Sequence, residues 1–266
     1  MPTRSLRTAA SGMYAQQINI QVISNNIANM NTTSFKKNRA DFKDLMYQEV
    51  SATPLNSYLP GVVEKTQSQV QVGNGVQLSS TQKLFNQGDL TTTGNQLDVA
   101  IYGEGFFQLR KPDGTIVYSR DGSFKLSSDG SLVTTSGYML EPGFTISDNV
   151  SDIAISRDGI VSMRELNGNS IELGQIELAK FINSAGLIAL GDNMYGESDA
   201  SGAPILGNPG STGYGELQQG FLEASNVDIV EEMIAMITAQ RAYEINSKTV
   251  KTVEDMMTMV NNLKRS

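Results

Sequence analysis

The sequence has no cysteine, no histidine and no tryptophan among its 266 residues. Without cysteine there is no disulfide framework, no thiolate nucleophile and no cysteine-ligated metal. Without histidine the usual general base, the Ser-His-Asp triad and the commonest zinc ligand are gone together. No run of about twenty apolar residues occurs, which argues against insertion in a membrane as a helix. Met1-Pro2-Thr3-Arg4-Ser5-Leu6-Arg7 has two arginines but no apolar stretch behind them, so it does not read as a secretory signal peptide. Positive charge is also scarce: the formal net charge is -8 and the pI about 4.7. A basic surface for phosphate contacts is missing, so nucleic acid is not an expected partner.

What is present falls into three textures. Near the start, Leu6, Met13, Ile20 and Ile27 lie seven residues apart, with Ala9, Ile23 and Met30 three after their neighbours. That is the a/d seam of a coiled coil, interrupted only by Gln16. No proline and one glycine, Gly12, fall between Ser5 and Asn29, which predicts a helix about 37 Å long. The Asn29–Ser34 run, rich in turn and cap formers, ends it.

The far end mirrors this. Ile229, Met236, Tyr243, Val250 and Met257 repeat every seven residues, and Glu232, Ala239, Asn246, Val253 and Val260 follow three later. Ser225-Asn226-Val227-Asp228 opens the stretch with a capping-box-like pattern, and Lys264 and Arg265 close it where cations suit the helix dipole. Val227 to Leu263 has neither proline nor glycine, enough for a helix of roughly 55 Å. Asn246, on this seam, is either exposed at its edge or sets register as a single polar seam residue does.

Between the ends the period changes. Asp113-Gly114, Asp121-Gly122 and Asp129-Gly130 lie eight residues apart, with short β-type runs between them, and Asp158-Gly159 follows. Asp-Gly between such runs predicts β-hairpins. One carboxylate per turn does not make a calcium loop. Gly103-Glu104-Gly105 begins like a dinucleotide fingerprint, but Gln108 stands at the third glycine position, so a bend in a β domain fits better. Gln48 to Val72 is polar and broken by Pro54 and Pro60, which predicts an extended arm able to reach roughly 80 Å.

The expected class is α+β. Residues 1–47 and 222–266 supply long terminal helices forming a coiled-coil layer, 48–75 an extended arm, and 76–221 an antiparallel β domain. Ordering a residue costs about 1–2 kcal/mol and burying a large apolar side chain returns about 1.5–3 kcal/mol. The first helix carries few such side chains and is marginal alone. From the residues themselves, either the two helices pair within one chain or they are ordered by assembly. Lys36, Lys37, Arg39 and Lys43, with Phe35 and Phe42 among them, read as a solvated face with two aromatic anchors.

Three stretches carry a resemblance. They are Ser24-Asn25-Asn26-Ile27-Ala28-Asn29 with Asn31 to Lys37; Asp98 to Phe107; and Ser225 to Met233 with Gln240 to Asn246. Taken in this order the chain resembles the rod and hook axial proteins of the bacterial flagellum. The resemblance implies a structural, non-enzymatic subunit without cofactor or metal, at home in the basal-body rod that crosses the periplasm. It implies a hollow homopolymer whose seam uses Leu6, Met13, Ile20, Ile23, Ile27, Ile229, Met236, Tyr243, Asn246, Val250, Val253 and Met257. The partners it implies are further copies of the chain, proximal rod proteins, hook protein, the surrounding P and L ring proteins and the type III export apparatus. Phe42 to Gln48, followed by a long arm and Gln71 to Val76, looks most like the distal section of the rod. A proximal rod or hook-type subunit is the alternative. An enzyme working through a carboxylate pair, or a monomeric binding module, are the rivals from other classes; no carboxylate pair can be located.

Overall fold

The computed structural model describes residues 2–51, 69–146, 150–165 and 169–263. Two long helices bracket an antiparallel β region: α1, Pro2–Ala28, and α2, Ile229–Leu263. Neither helix is long and apolar enough to cross a membrane. The chain divides into two compact units, one of Met1–Asn25, Asn38–Gln82 and Val230–Ser266, the other of Asn26–Lys37 and Lys83–Ile229.

In the first unit, strand Asn38–Asp44 pairs with Val76–Lys83. Gln48–Ser51 pairs antiparallel with Gln69–Val72, Gln48 facing Val72 and Ser51 facing Gln69. The two ends of the expected arm therefore meet in one ribbon. Its middle, residues 52–68, lies outside the described residues, as do Lys264 and Arg265. Ser11 Oγ accepts from the Val76 N–H at 3.3 Å, which ties α1 to this sheet. Gly75, at φ 111°, gives the room, since a Cβ there would fall 2.2 Å from Ser11 Oγ.

The second unit is built on a nine-stranded sheet. Phe106–Arg110 sits at its middle, paired with Ile116–Ser119 on one side and with Met139–Glu141 and Leu178–Lys180 on the other. Successive strand residues point to opposite faces, so the adjacent Phe106 and Phe107 enter different cores. Phe107 joins Val99, Ile101, Leu109, Phe124 and Leu217. Phe106 joins Tyr118, Phe181 and Tyr195, packed edge to face. This burial on both faces explains the dense apolar run around Gly105.

Three of the four Asp-Gly pairs turn hairpins. Asp113-Gly114 joins paired strands Phe106–Arg110 and Ile116–Ser119; Asp129-Gly130 joins Phe124–Leu126 and Leu132–Thr134; Asp158-Gly159 joins Val150–Ile155 and Ile160–Glu165. All three glycines have positive φ, as such turns require. Asp121-Gly122 differs. The strands around it do not pair with each other; Gly122 is needed for packing, because a Cβ would stand 1.7 Å from the Val99 carbonyl oxygen.

Candidate functional site

The side chains singled out by the seven-residue repeat are only partly covered. On α1, Ile23 is buried and Leu6, Met13, Ile20 and Ile27 are half-buried. On α2, Val253 is buried, Met236, Asn246, Val250 and Met257 are half-buried, and Ile229 and Tyr243 are each 40% exposed. The two helices meet where Asn246 sits against Gly12. Beyond the repeat, α2 displays a second apolar line, with Val230, Ile234, Ile237, Ile245, Met259 and Leu263 all more than half exposed.

The second unit holds a site that sequence reasoning missed. Lys36, expected on a solvated face, is 0% exposed; the chain turns inward after Ser34, a non-glycine residue at φ 55°. The Lys36 Nζ donates to Glu223 Oε1 at 2.6 Å and to the Asn86 carbonyl at 2.8 Å. Arg120 Nε donates to Glu223 Oε2 at 2.9 Å, and its two terminal nitrogens donate to the carbonyls of Gly105 at 3.1 Å and Gly103 at 2.8 Å. The Gly88 N–H supplies a further bond to Glu223 Oε1, 3.0 Å. Both carboxylate oxygens are thus satisfied, as a buried charge demands.

Backbone bonds close the same spot. The Ser34 N–H donates to the Glu223 carbonyl at 2.8 Å, and Ser34 Oγ donates to the Arg120 carbonyl at 2.8 Å. Asn226 accepts from the Lys37 N–H and donates to the carbonyls of Leu84 and Asn86. The chain segments after α1, around Gly103–Gly105, and before α2 are therefore fastened together. They are the three stretches that carry the family resemblance. The readable signal was Glu223 itself: a carboxylate between Leu222 and Ala224, on a strand otherwise apolar.

Electrostatics follow the geometry. Burial pushes the Glu223 carboxyl up, but Arg120 and Lys36, with hydrogen bonds from Lys36 and the Gly88 N–H, hold it below its ordinary range. Burial lowers Lys36, Glu223 pulls it back up, Arg120 pushes it down again, and the net is downward. Tyr195 is pushed up to about 12, mainly by burial. Lys83 Nζ lies 5.2 Å from the Phe35 ring centre and 5.9 Å from that of Tyr195, and its pKa is lowered by burial. Nothing in this arrangement offers an exposed nucleophile or a paired acid and base. Among the described residues no cluster of acidic side chains could hold a metal.

The helix ends and the β region between them each match a family model. Residues 6–36 match the flagella basal body rod protein family. Residues 100–163 match the D1 domain of flagellar hook protein FlgE/F/G, and 218–263 match the C-terminal region of flagellar basal body rod FlgEFG proteins. The flagellar basal-body rod protein FlgG of Borreliella burgdorferi is 49% identical over 269 residues, covering 98% of this chain and 99% of its own. Those of Caulobacter vibrioides and Bacillus subtilis are 47% and 39% identical, each with 98% of this chain and 99% of theirs covered. The chain belongs to the flagellar basal-body rod protein family. The buried Lys36 and Glu223 fall in the two matched end regions, and Arg120 in the D1 match.

Proposed function

We propose that the chain is the subunit of the distal section of the flagellar rod, a hollow and rigid driveshaft that passes torque from motor to hook. The terminal helices of neighbouring copies form its inner layer, and the β domains carry lateral contacts outside it. One observation carries this reading: α2 exposes a line of large apolar side chains along its length, Val230, Ile234, Ile237, Ile245, Met259 and Leu263. Scattered exposed apolar residues are ordinary, but large ones gathered on one face of a helix, here broken by Arg241, Lys248 and Thr252, mark a binding face. The near full-length likeness to rod proteins supports further copies of the same chain as what covers it. Packing alone then does the work, without chemistry at any residue. Passage through the type III export apparatus, and contacts with proximal rod, hook and P and L ring proteins, belong to the same reading.

The two ends of the expected arm pair in one ribbon, and we read the arm as the part of the chain that stiffens the assembled rod. Deleting Ala52 to Thr66 then gives tubes that are more curved; tubes of unchanged stiffness contradict that role. For the assembly itself, the test is electron microscopy of the purified chain across a concentration series. Tubes appearing above a threshold concentration support it, and a chain that stays monomeric throughout opposes it.

A further inference from the structure

We propose that Glu223 is a positioning residue whose negative charge latches the chain segments at the inner ends of both terminal helices to one point, and that neutralising it frees them together. Lys36 stands eight residues after the end of α1 and Glu223 six before the start of α2. They are 187 residues apart in sequence, yet each is the other's partner with no water exposure. The latch therefore closes only when both ends of the chain are in place.

The charge, more than the shape, is what the site is built around. Two cations converge on one carboxylate: Lys36 from the segment after α1 and Arg120 from the end of strand Ile116–Ser119. The Gly88 N–H adds a third donor, and Tyr195, from strand Met194–Gly196, is a further titratable group near the carboxylate. A neutral residue at 223 leaves Lys36 and Arg120 facing each other across a site that excludes water. Like charges buried without a counter-ion are expelled. Lys36 has the shorter way out, since it is held by fewer bonds and the chain is partly exposed from Lys37 onward. Arg120 does not, because Gly103 and Gly105 carbonyls hold it. Release is thus local: residues 34–37 and 223–226 open while the strands of the β core stay paired.

The consequence for assembly rests on the rod reading: a subunit with an open latch no longer fixes the two segments that lead out of α1 and into α2. The test needs no polymer, so the two readings can fail separately. Hydrogen exchange followed by mass spectrometry is run on the full-length monomer and on Glu223→Gln, at low concentration, from pH 6 down to pH 3, against an unstructured peptide reference at each pH. The latch predicts that Glu223→Gln at pH 6 speeds exchange in residues 34–37 and 223–226 by about tenfold or more, with Phe106–Arg110 unchanged. It also predicts that the wild-type chain gains the same local opening as pH falls, while the variant shows no further change. Unaltered protection in the variant, or a wild-type profile flat with pH, overturns the proposal. Equal loss of protection in Phe106–Arg110 overturns it as well, because the cluster is then part of the core and not a latch.

Discussion

A Cβ at Gly12 of α1 would stand 2.9 Å from Asn246 Nδ2 of α2, so the two helices touch where one has no side chain and the other has a polar one. The only glycine of the first helix and a polar residue of the second repeat explain each other. Glycine in a helix interior costs about 0.5–1 kcal/mol against alanine, and here it makes room for Asn246. Gly12→Ala is expected to be near neutral, because that helix gain offsets the push on a flexible amide. Gly12→Leu overpacks the site and loses about 1–3 kcal/mol. Urea titration followed by far-ultraviolet circular dichroism separates the two, and Asn246→Ala should restore part of the Gly12→Leu loss.

Ile234 and Ile237 are 58% and 55% exposed and lie on the apolar line of α2. Exposed substitutions usually change monomer stability by less than about 0.5 kcal/mol, whereas a carboxylate buried in an interface costs several kcal/mol. Ile237→Asp should leave the melting temperature of the monomer unchanged and abolish tube formation. Met236→Asp and Val250→Asp, on the half-buried seam, should do the same to assembly but also weaken the monomer.

Arg120 and Lys36 share one carboxylate but not one role. Arg120→Met removes the donor to Glu223 Oε2 and to two carbonyls, Gly103 and Gly105. Lys36→Met removes a donor from Glu223 Oε1, which keeps the Gly88 N–H, and from the Asn86 carbonyl, which Asn226 also serves. Each change breaks a buried ion pair, at about 3–5 kcal/mol, and Arg120→Met adds two lost carbonyl bonds at about 1–3 kcal/mol each. Denaturant unfolding should therefore show the larger loss for Arg120→Met.

The same cluster sets a pH profile. Glu223 has a folded pKa below the ordinary 4.5, so its contribution is present above that value and is lost as pH falls through the folded one. Lys36 has a folded pKa below 10.5, so the folded state sheds that proton first and gains as pH rises toward 10.5. Tyr195 works the other way: its contribution is present below 10.0 and is lost as pH rises toward about 12. Stability measured by urea unfolding should fall on the acid side in wild type and much less in Glu223→Gln. Tyr195→Phe should flatten the alkaline fall.

The periodic parts of the molecule were legible in the sequence. Apolar residues every seven positions foretold both helices, and Asp-Gly between β-type runs foretold three hairpins. Asp121-Gly122 carried the same dipeptide for another reason, close approach to the Val99 carbonyl, which only the packed fold reveals. The ribbon of Gln48–Ser51 with Gln69–Val72 was hidden because each strand is four residues long, and the alternation in Gln69-Val70-Gln71-Val72 has no counterpart in Gln48-Glu49-Val50-Ser51 to fix a register. Lys36 was hidden for the opposite reason. A lysine in a basic cluster is nearly always solvated, and its partner Glu223 is too far along the chain for spacing to connect them.

The claim that the chain builds the distal section of the rod is tested most directly by locating it. An epitope-tagged copy is expressed in a flagellated bacterium lacking its own FlgG, and basal bodies are isolated and labelled with gold for electron microscopy. The account predicts label along the rod between its base and the hook, in basal bodies whose rods have regained full length. Label confined to the hook or to the base of the rod, or rods that remain truncated with the tagged chain unassembled, would contradict it.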